Sequence, residues 1–299
     1  MARGPYAAIG TAIVAVSFSS IFIAWSSSDY VTIALYRLAF ATAILLPFAL
    51  RGGERLRGVS RRDALLMAGV GAILATHFTL WIASLKAGDV AVPVASSVIL
   101  VTSHPVLVGL LSHFVFKERV NRTMAAGILL GFAGVVVIAL ADYRAAAPTI
   151  VGDLLAFLGG VAAGLYLLAG RRIRQRVSLT SYAFIVYGSA TAVLFAYALL
   201  LGASLAPKGD VPREIGLFLA MAIVPHIGGH TLYNWALRWV SAPVVSLSLV
   251  GEPIGSSLLA WALLAQVPSG LVGVGGALAI VGIAMTAYAS PVKSMETST

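Results

Sequence analysis

The sequence predicts an all-α integral membrane protein of ten transmembrane helices, arranged as two inverted five-helix repeats. Of its 299 residues, 60% are hydrophobic and 10% are charged, and the mean hydropathy is +0.97. Soluble domains carry about 25% charged residues, so this composition excludes a soluble protein. Ten apolar stretches of spanning length, and an uneven distribution of lysine and arginine around them, predict the helix count and the orientation.

The ten predicted spans follow one another with short links. Each is long enough for a hydrocarbon core of about 30 Å, which requires about 20 apolar residues. Their approximate bounds are 6–25, 31–50, 64–86, 90–115, 123–141, 150–169, 180–202, 214–238, 242–265 and 268–289. The longest links, 51–63 and 203–213, leave no room for a separate catalytic domain. We place the two halves at residues 1–145 and 146–299.

The basic residues predict the orientation, because lysine and arginine stay on the cytoplasmic side. With cytoplasmic termini, fifteen of the 20 basic residues lie inside, four lie outside, and Arg37 lies within the second span. We therefore expect both termini to be cytoplasmic. Topology and attraction to anionic lipid of the bilayer explain the net charge of +9. Nucleic acid is therefore not an expected partner.

A weak internal repeat supports the two halves. Thr79-Leu80-Trp81 in the third span is similar to Thr231-Leu232-Tyr233 in the eighth, and His104-Pro105 in the fourth is similar to Glu252-Pro253 in the ninth. With an odd number of spans in each half, the second half enters the membrane inverted. Paired hydrophobic segments interrupted by proline indicate a transporter's substrate site at the repeat interface, near the midplane.

The candidate substrate-binding residues are polar and aromatic side chains that recur at helical spacing on one face of a span. They are His77 and Trp81 in the third span; Ser97, Val101 and His104 in the fourth; His230, Tyr233 and Asn234 in the eighth; and Ser248 and Glu252 in the ninth. Polar groups within a membrane often mark a substrate pathway. The alternative is interhelical hydrogen bonding that serves stability alone, and for the serines we favour close helix packing.

Glu252 is the most distinctive candidate site residue, because it is an acidic side chain in an apolar span. It could carry a proton during transport, or it could be a protonated group that bonds to a nearby carbonyl. Arg37 could meet a substrate carboxylate, although a structural role fits its place near the outer end better. His226 and His230 have a spacing that could chelate a metal, but no glutamate follows His226 as in HExxH enzymes. We expect no bound metal, no cofactor and no catalytic site, and without cysteine there is no thiol chemistry.

Small residues line several spans and predict close helix contacts. Gly127 and Gly131 form a GxxxG pattern in the fifth span, and Gly160 and Gly164 form another in the sixth. Such patterns let helix backbones approach closely. Packing within a monomer and pairing into a homodimer both remain open. The fifth and tenth spans carry almost no polar side chains, so we expect them to be scaffold.

Several motifs together carry a family resemblance over residues 6 to 289. They are Ala34-Leu35-Tyr36-Arg37-Leu38, Pro105 followed by Glu118-Arg119, and Glu252-Pro253 followed by Ala260-Trp261. With ten spans in two halves, the chain resembles EamA-type members of the drug/metabolite transporter superfamily. The resemblance implies an inner-membrane carrier of small metabolites, with a central cavity lined by spans 1–4 and 6–9. The chain departs from the family pattern at His104 and Gln266.

The predicted function is secondary transport by alternating access, with export of a small-molecule substrate. The family that the chain resembles includes bacterial exporters of aromatic amino acids. The indole, imidazole and amide groups of the candidate site suit an aromatic or large neutral amino acid better than a sugar. Alternatives are a carrier of a drug-like cation or a nucleotide-sugar-like anion, and a membrane-embedded metal-dependent enzyme.

Overall fold

The computed structural model describes residues 3–51, 56, 58–104, 121–145, 149–239, 245, 248–249 and 251–289, and throughout these ranges the regular structure is helical. The α-helices are α1 (Arg3–Ser17), α2 (Ser19–Trp25), α3 (Tyr30–Arg51), α4 (Arg61–Lys86), α5 (Val94–Val101), α6 (Arg122–Ala145), α7 (Thr149–Arg174), α8 (Leu179–Leu200), α9 (Val211–Met221), α10 (Leu232–Ala236), α11 (Gly251–Leu264) and α12 (Gly270–Tyr288). A 3-10 turn occupies Gly88–Val90, and a π-helix, the π segment, occupies Ala222–Thr231.

Six helical stretches of the described chain are long and apolar enough to cross a membrane. They are Gly4–Trp25, Tyr30–Arg51, Arg61–Lys86, Thr149–Arg174, Leu179–Leu200 and Val211–Ala236. At 1.5 Å rise per residue, their 22 to 26 residues exceed the length that a hydrocarbon core of about 30 Å requires. The all-helical membrane architecture is therefore confirmed. The other four predicted spans overlap with α5, α6, α11 and α12, and of these α5 has only eight described residues and α11 fourteen.

The fourth and ninth predicted spans are interrupted near their middles. Among the described residues, α5 ends at Val101 and a turn follows at Thr102 and Ser103. In the ninth span, Leu249 lies in a turn and α11 begins at Gly251, so Pro253 falls in the first turn of α11. Proline is tolerated there because the first N–H groups of a helix have no intrahelical acceptor. Pro105, Glu118 and Arg119 lie outside the described residues.

Serine caps begin two of the long helices. Ser60 accepts a hydrogen bond of 3.1 Å from the backbone N–H of Asp63 at the start of α4. Ser178 accepts one of 3.2 Å from Ser181 at the start of α8. Each bond satisfies an N–H that the helix itself leaves free. Arg176 donates to Asp63 near these two starts, and this bond raises the pKa of the Arg176 guanidinium. We call this the Asp63 end of the bundle.

The opposite end of the bundle, which we call the Glu214 end, is fastened by one buried carboxylate. Glu214 in the first turn of α9 accepts hydrogen bonds from Ser26 Oγ (2.5 Å), Ser27 N (2.7 Å) and Ser28 Oγ (2.7 Å). The three serines form the turn between α2 and α3. Lys86, the last residue of α4, donates from Nζ to the carbonyl oxygen of Ser26 at 2.6 Å. One turn thereby connects helices of both halves.

Glycine allows the closest helix contacts. A Cβ placed on Gly160 of α7 would lie 2.5 Å from the carbonyl oxygen of Val101. One on Gly159 would lie 3.1 Å from the backbone nitrogen of Trp81. The bare backbone of α7 therefore lies directly against α4 and α5. Between α6 and α12, a Cβ on Gly282 would lie 2.2 Å from Gly131 N and 2.5 Å from Gly127 O, so the predicted GxxxG pattern of the fifth span is used within the chain.

The helices α6 and α12 form a pair at the side of the bundle. Ile138, Val272 and Ala279 belong to a small buried cluster between the two helices. This cluster is separate from the main hydrophobic core, which contains Leu38 and Phe78. Their outer faces present large apolar side chains: Leu129, Phe132, Leu140, Val274 and Val281 are all more than 40% exposed. Apolar surface of this kind suits lipid contact. The pair has the scaffold position predicted for the fifth and tenth spans.

Candidate functional site

A cavity lies between α4, α5, α7, the π segment, α10 and α11, with about 550 Å³ of space not filled by atoms, part of it continuous with the surroundings. Seven predicted site residues line it: His77, Trp81, Val101, His104, His230, Tyr233 and Glu252. They come from both halves of the chain. The wall also includes five residues that the prediction missed: Thr102, Ala163, Tyr166, Leu167 and Leu249.

The wall contributed by α4 is aromatic and fixed. His77 and Trp81, one turn apart, stack with ring centroids 6.0 Å apart and planes inclined by 12°. The Nδ1 atom of His77 lies 2.9 Å from the carbonyl oxygen of Gly159. A carbonyl can only accept, so Nδ1 carries the proton and donates. This bond connects α4 to α7 and holds the imidazole beside the indole.

The π segment changes which residues of the eighth span face the cavity. An α-helix would place His226, His230 and Tyr233 on one face, but only His230 and Tyr233 line the cavity. A π-helix bonds i to i+5 and has a wider turn, which shifts the register of the residues before α10. Pro225, which lacks an N–H, favours such a break. His226 therefore lies behind the wall, with its ring centroid 5.3 Å from that of His230.

Three predicted site residues lie outside the cavity wall and bond within the protein. Asn234 donates from Nδ2 to the hydroxyl oxygens of Tyr166 at 2.6 Å and Tyr187 at 3.4 Å. Ser97 bonds to Ser84 of α4 at 2.7 Å. Ser248 donates to the carbonyl oxygen of Val245 at 2.6 Å. Asn234 and Ser97 therefore join different helices, which for Ser97 is the use that we favoured, whereas Ser248 bonds only within its own segment.

The contribution of α7 was missed because its sequence, rich in glycine and alanine, carries few chemical groups. Tyr166 is its one aromatic residue near mid-span that reaches the cavity. A lone tyrosine between Gly164 and Gly170 could have indicated the contact, since glycines bring the helix close enough for its larger neighbours to reach the centre. Ala163 and Leu167 lie on the same face of α7 and carry no such signal.

Three polar atoms of the wall have no hydrogen-bond partner among the described residues: Trp81 Nε1, His104 Nε2 and Tyr233 OH. Buried polar groups are bonded in the great majority of cases, so these three atoms are available to bond a molecule in the cavity. The indole N–H is a donor, and the tyrosine hydroxyl can donate or accept. His104 Nδ1 lies 3.2 Å from the carbonyl oxygen of Val101, which leaves Nε2 as an acceptor.

Glu252 is the one acidic residue of the cavity wall among the described residues. Its side chain is 8% exposed, and its carboxyl group accepts no hydrogen bond from another described side chain. The wall thus combines acceptors at Glu252 and His104 with donors at Trp81 and Tyr233. No group of three His, Cys, Asp or Glu side chains within the described ranges could hold a metal ion.

Behind the wall lies a fully buried arginine. Arg37 of α3 donates from Nη1 to Ser19 Oγ at 2.7 Å and from Nε to His226 Nδ1 at 3.4 Å. Its guanidinium carbon lies 4.3 Å from the centroid of the Phe78 ring. That ring also contacts His77 and His230 in the wall, at 4.7 and 5.4 Å between centroids. One layer of rings therefore separates Arg37 from the cavity.

Comparisons with known proteins agree with this architecture. Two proteins have similar sequences: an uncharacterized transporter of Archaeoglobus fulgidus, 25% identical over 90% of this chain and 92% of that protein, and a probable terminal-alkyne amino-acid exporter of Streptantibioticus cattleyicolor, 26% identical over 95% of this chain and 92% of that protein. A crystal structure of another protein, 24% identical, superimposes with a TM-score of 0.65 over 95% of this chain and 97% of the other.

The family assignment follows from the sequence profile of the EamA-like transporter family. That profile matches twice, at residues 4–140 and 150–288, and the two matches together span nearly the whole chain. Each match corresponds to one set of helices around the cavity, and the similar proteins are named as transporters. The protein is therefore a membrane transporter of the EamA-like family, within the drug/metabolite transporter superfamily.

Proposed function

We propose that this protein exports aromatic or large neutral amino acids across the bacterial inner membrane by alternating access. The observation that carries the proposal is the pairing, in one aromatic cavity, of two donors without partners, Trp81 Nε1 and Tyr233 OH, with two acceptors, His104 Nε2 and Glu252. A zwitterion needs both kinds of group: donors for its carboxylate and acceptors for its ammonium. The rings of His77 and Tyr166 offer apolar contact for a side chain.

The arrangement we propose is ten spans in two inverted repeats, divided between residues 145 and 146, with both termini cytoplasmic. The distribution of the basic residues supports this orientation. The Glu214 end then faces outward and the Asp63 end inward. The interruptions after Val101 and before Gly251, in the fourth spans of the two halves, are what inverted repeats produce at a central binding site.

Export and the amino-acid class also have support from a relative, since one similar protein is named as an amino-acid exporter. A nucleotide-sugar-like anion fits less well, because no lysine or arginine lines the cavity among the described residues. Recognition of a phosphate commonly uses such cations.

Counterflow in proteoliposomes tests the proposal. Vesicles loaded with unlabelled tryptophan or leucine should take up the labelled amino acid, whereas protein-free vesicles should not. The competitor panel includes phenylalanine, its amide, its deaminated analogue 3-phenylpropionate, a tetraphenylphosphonium salt and a nucleotide sugar. We expect phenylalanine to compete best, and its amide and deaminated analogue to compete at least about tenfold more weakly, because each lacks one charged end. Equal competition by all three would contradict recognition of a zwitterion.

A lipophilic cation is the second candidate solute. Glu252 within an aromatic wall offers a carboxylate together with ring faces that attract a cation. For this solute the amide of phenylalanine, which keeps its ammonium, should compete as well as phenylalanine does. Strong competition by tetraphenylphosphonium and none by neutral amino acids would favour the cation carrier over the amino-acid exporter.

A further inference from the structure

Ala163 of α7 has the smallest side chain of the cavity wall. The other residues of the wall carry side chains at least as large as those of valine and threonine. Tyr166 and Leu167 follow Ala163 by three and four residues, so the three side chains lie along one face of α7. The wall therefore recedes beside the methyl group of Ala163, and we call this space the recess.

The recess opens toward the cavity and not toward lipid. Ala163 is partly exposed, whereas the lipid-facing side of α7 is marked by Leu158 and Leu165, which are 49% and 40% exposed. A helix turns by about 100° per residue, so Ala163 points about 140° away from Leu158 and about 160° away from Leu165. The exposed surface of Ala163 therefore belongs to the cavity that this residue lines.

Hydrogen bonds hold α7 in place on both sides of the recess. One turn before Ala163, the carbonyl oxygen of Gly159 accepts a hydrogen bond of 2.9 Å from Nδ1 of His77. Three residues after Ala163, the hydroxyl oxygen of Tyr166 accepts one of 2.6 Å from Asn234. Moving α7 away from the cavity would break these bonds between buried groups, which is costly. A larger side chain at position 163 would therefore project into the cavity.

The side of the cavity formed by α7 is apolar. Ala163 and Leu167 have no polar side-chain atoms, and the hydroxyl oxygen of Tyr166 already accepts a hydrogen bond. The groups proposed to bind the charged ends of the solute belong to other parts of the chain: Trp81, His104, Tyr233 and Glu252. A solute held at its charged ends by these groups has an apolar surface for its side chain at α7, next to the recess.

We propose that Ala163 is a specificity-determining residue, whose methyl group leaves the recess that accepts the ring of an aromatic amino acid. The inference rests on the proposed function for the class of solute, whereas the recess itself can be tested without a solute. A larger aliphatic side chain at this position fills the recess and changes the preference from tryptophan toward leucine.

Uptake kinetics in proteoliposomes test the preference. Ala163→Leu should raise the ratio of the KM for tryptophan to the KM for leucine at least about tenfold, since even one methylene in a pocket can change discrimination by about 10–200-fold. Ala163→Gly adds no atoms to the cavity and should not raise this ratio. The matched control is Ala126→Leu, the same change at an exposed position of α6. An unchanged ratio in Ala163→Leu, or an equal rise in Ala163→Gly, would overturn the proposal.

Chemical labelling tests the recess without any solute. The sequence has no cysteine, so Ala163→Cys introduces the single thiol of the full-length protein. Methyl and benzyl methanethiosulfonate each form a mixed disulfide with a thiol and release methanesulfinate, and mass spectrometry detects the added group. Both reagents should modify Ala163→Cys in detergent. Ala156→Cys, at a position of α7 that is 0% exposed, should react with neither. Modification of Ala163→Cys by the methyl reagent alone, or by neither, would overturn the recess.

These outcomes can be distinguished from failure of the proposed function. If proteoliposomes show no amino-acid counterflow while the benzyl reagent modifies Ala163→Cys, the solute assignment is wrong and the recess is supported. If counterflow is found and the benzyl reagent does not react, the recess is overturned while the amino-acid assignment is retained. Where both are found, the ratio of the two KM values decides whether Ala163 sets the preference.

Discussion

Asn234 donates a hydrogen bond of 2.6 Å to the hydroxyl oxygen of Tyr166, and this bond joins α10 to α7 directly behind the cavity wall. Asn234 is 0% exposed, whereas Tyr166 lines the cavity. The amide therefore acts on the solute site through the tyrosine and does not touch the cavity itself. This relationship revises the role that the sequence predicted for Asn234, from substrate contact to support of a contact.

The first prediction concerns this bond. Asn234→Ala removes donors from two tyrosine hydroxyls, so we expect a loss of about 1–3 kcal/mol in the free energy of unfolding, and weaker transport as Tyr166 loses its orientation. Tyr166→Phe removes the same bond from the other side. Because the two residues are in contact, the double variant should lose less stability than the sum of the single variants. Chemical unfolding in detergent measures this, and full additivity would contradict the shared bond.

The second prediction concerns the free N–H of Trp81. Trp81→Phe keeps an aromatic ring against His77 and removes only the donor, so the KM for an amino acid should rise about tenfold while the unfolding temperature changes little. The control is Trp261→Phe, since Trp261 is 59% exposed and does not line the cavity. Uptake kinetics in proteoliposomes provide the measurement. An unchanged KM in Trp81→Phe would remove the indole N–H from the proposed recognition.

The third prediction concerns coupling to protons. If Glu252 carries a proton during export, Glu252→Gln should abolish accumulation driven by an imposed pH gradient and leave exchange of amino acids at equal pH. Glu214→Gln, which alters a carboxylate outside the cavity, should retain the pH response. If transport by the unaltered protein does not respond to a pH gradient, the carrier is a facilitator. Glu252 would then serve only to recognise the solute.

The fourth prediction concerns the scaffold pair. A Cβ on Gly134 of α6 would lie 2.5 Å from both Ala279 N and Gly275 O, which are backbone atoms that cannot turn aside. We expect Gly134→Ala to push α6 and α12 apart and to lower the unfolding temperature strongly. Gly273→Ala on α12 is the matched control, because nothing lies within 4 Å of its added carbon. Equal unfolding temperatures of the two variants would contradict this close contact.

The fifth prediction concerns topology, and the absence of cysteine from the sequence makes it simple to measure. Lys208→Cys and Arg172→Cys each introduce a single thiol at an exposed position, on opposite ends of the bundle. A membrane-impermeant maleimide added to intact cells should label Cys at 208 and reach Cys at 172 only after lysis. The reverse pattern would invert the proposed orientation, and labelling of both in intact cells would contradict the inverted repeat.

Much of the architecture could be predicted from hydropathy alone, because apolar residues in runs of about 20 leave a backbone few alternatives to a helix in lipid. The helical period of α4 and α5 predicted which faces carry His77, Trp81 and Val101, and all three line the cavity. That period does not extend into the π segment, so His226 lies behind the wall, although an α-helix would place it beside His230. Periodicity also missed Tyr166 and Leu167, because glycine contacts between α7 and its neighbours depend on a three-dimensional fit that it does not express.

The buried carboxylate of Glu214 has a mechanical consequence for the transport cycle. Three hydrogen bonds attach the Ser26–Ser28 turn to α9, whereas one bond attaches Lys86 to this turn, and one bond joins the backbone N–H of Val94 to Gln266 Oε1. If this end of the bundle opens, rupture is easiest along the singly bonded seams. The α2–α3 turn and α9 should then move as one rigid body. The end of α4 should separate from that body first, and the start of α5 should separate from Gln266.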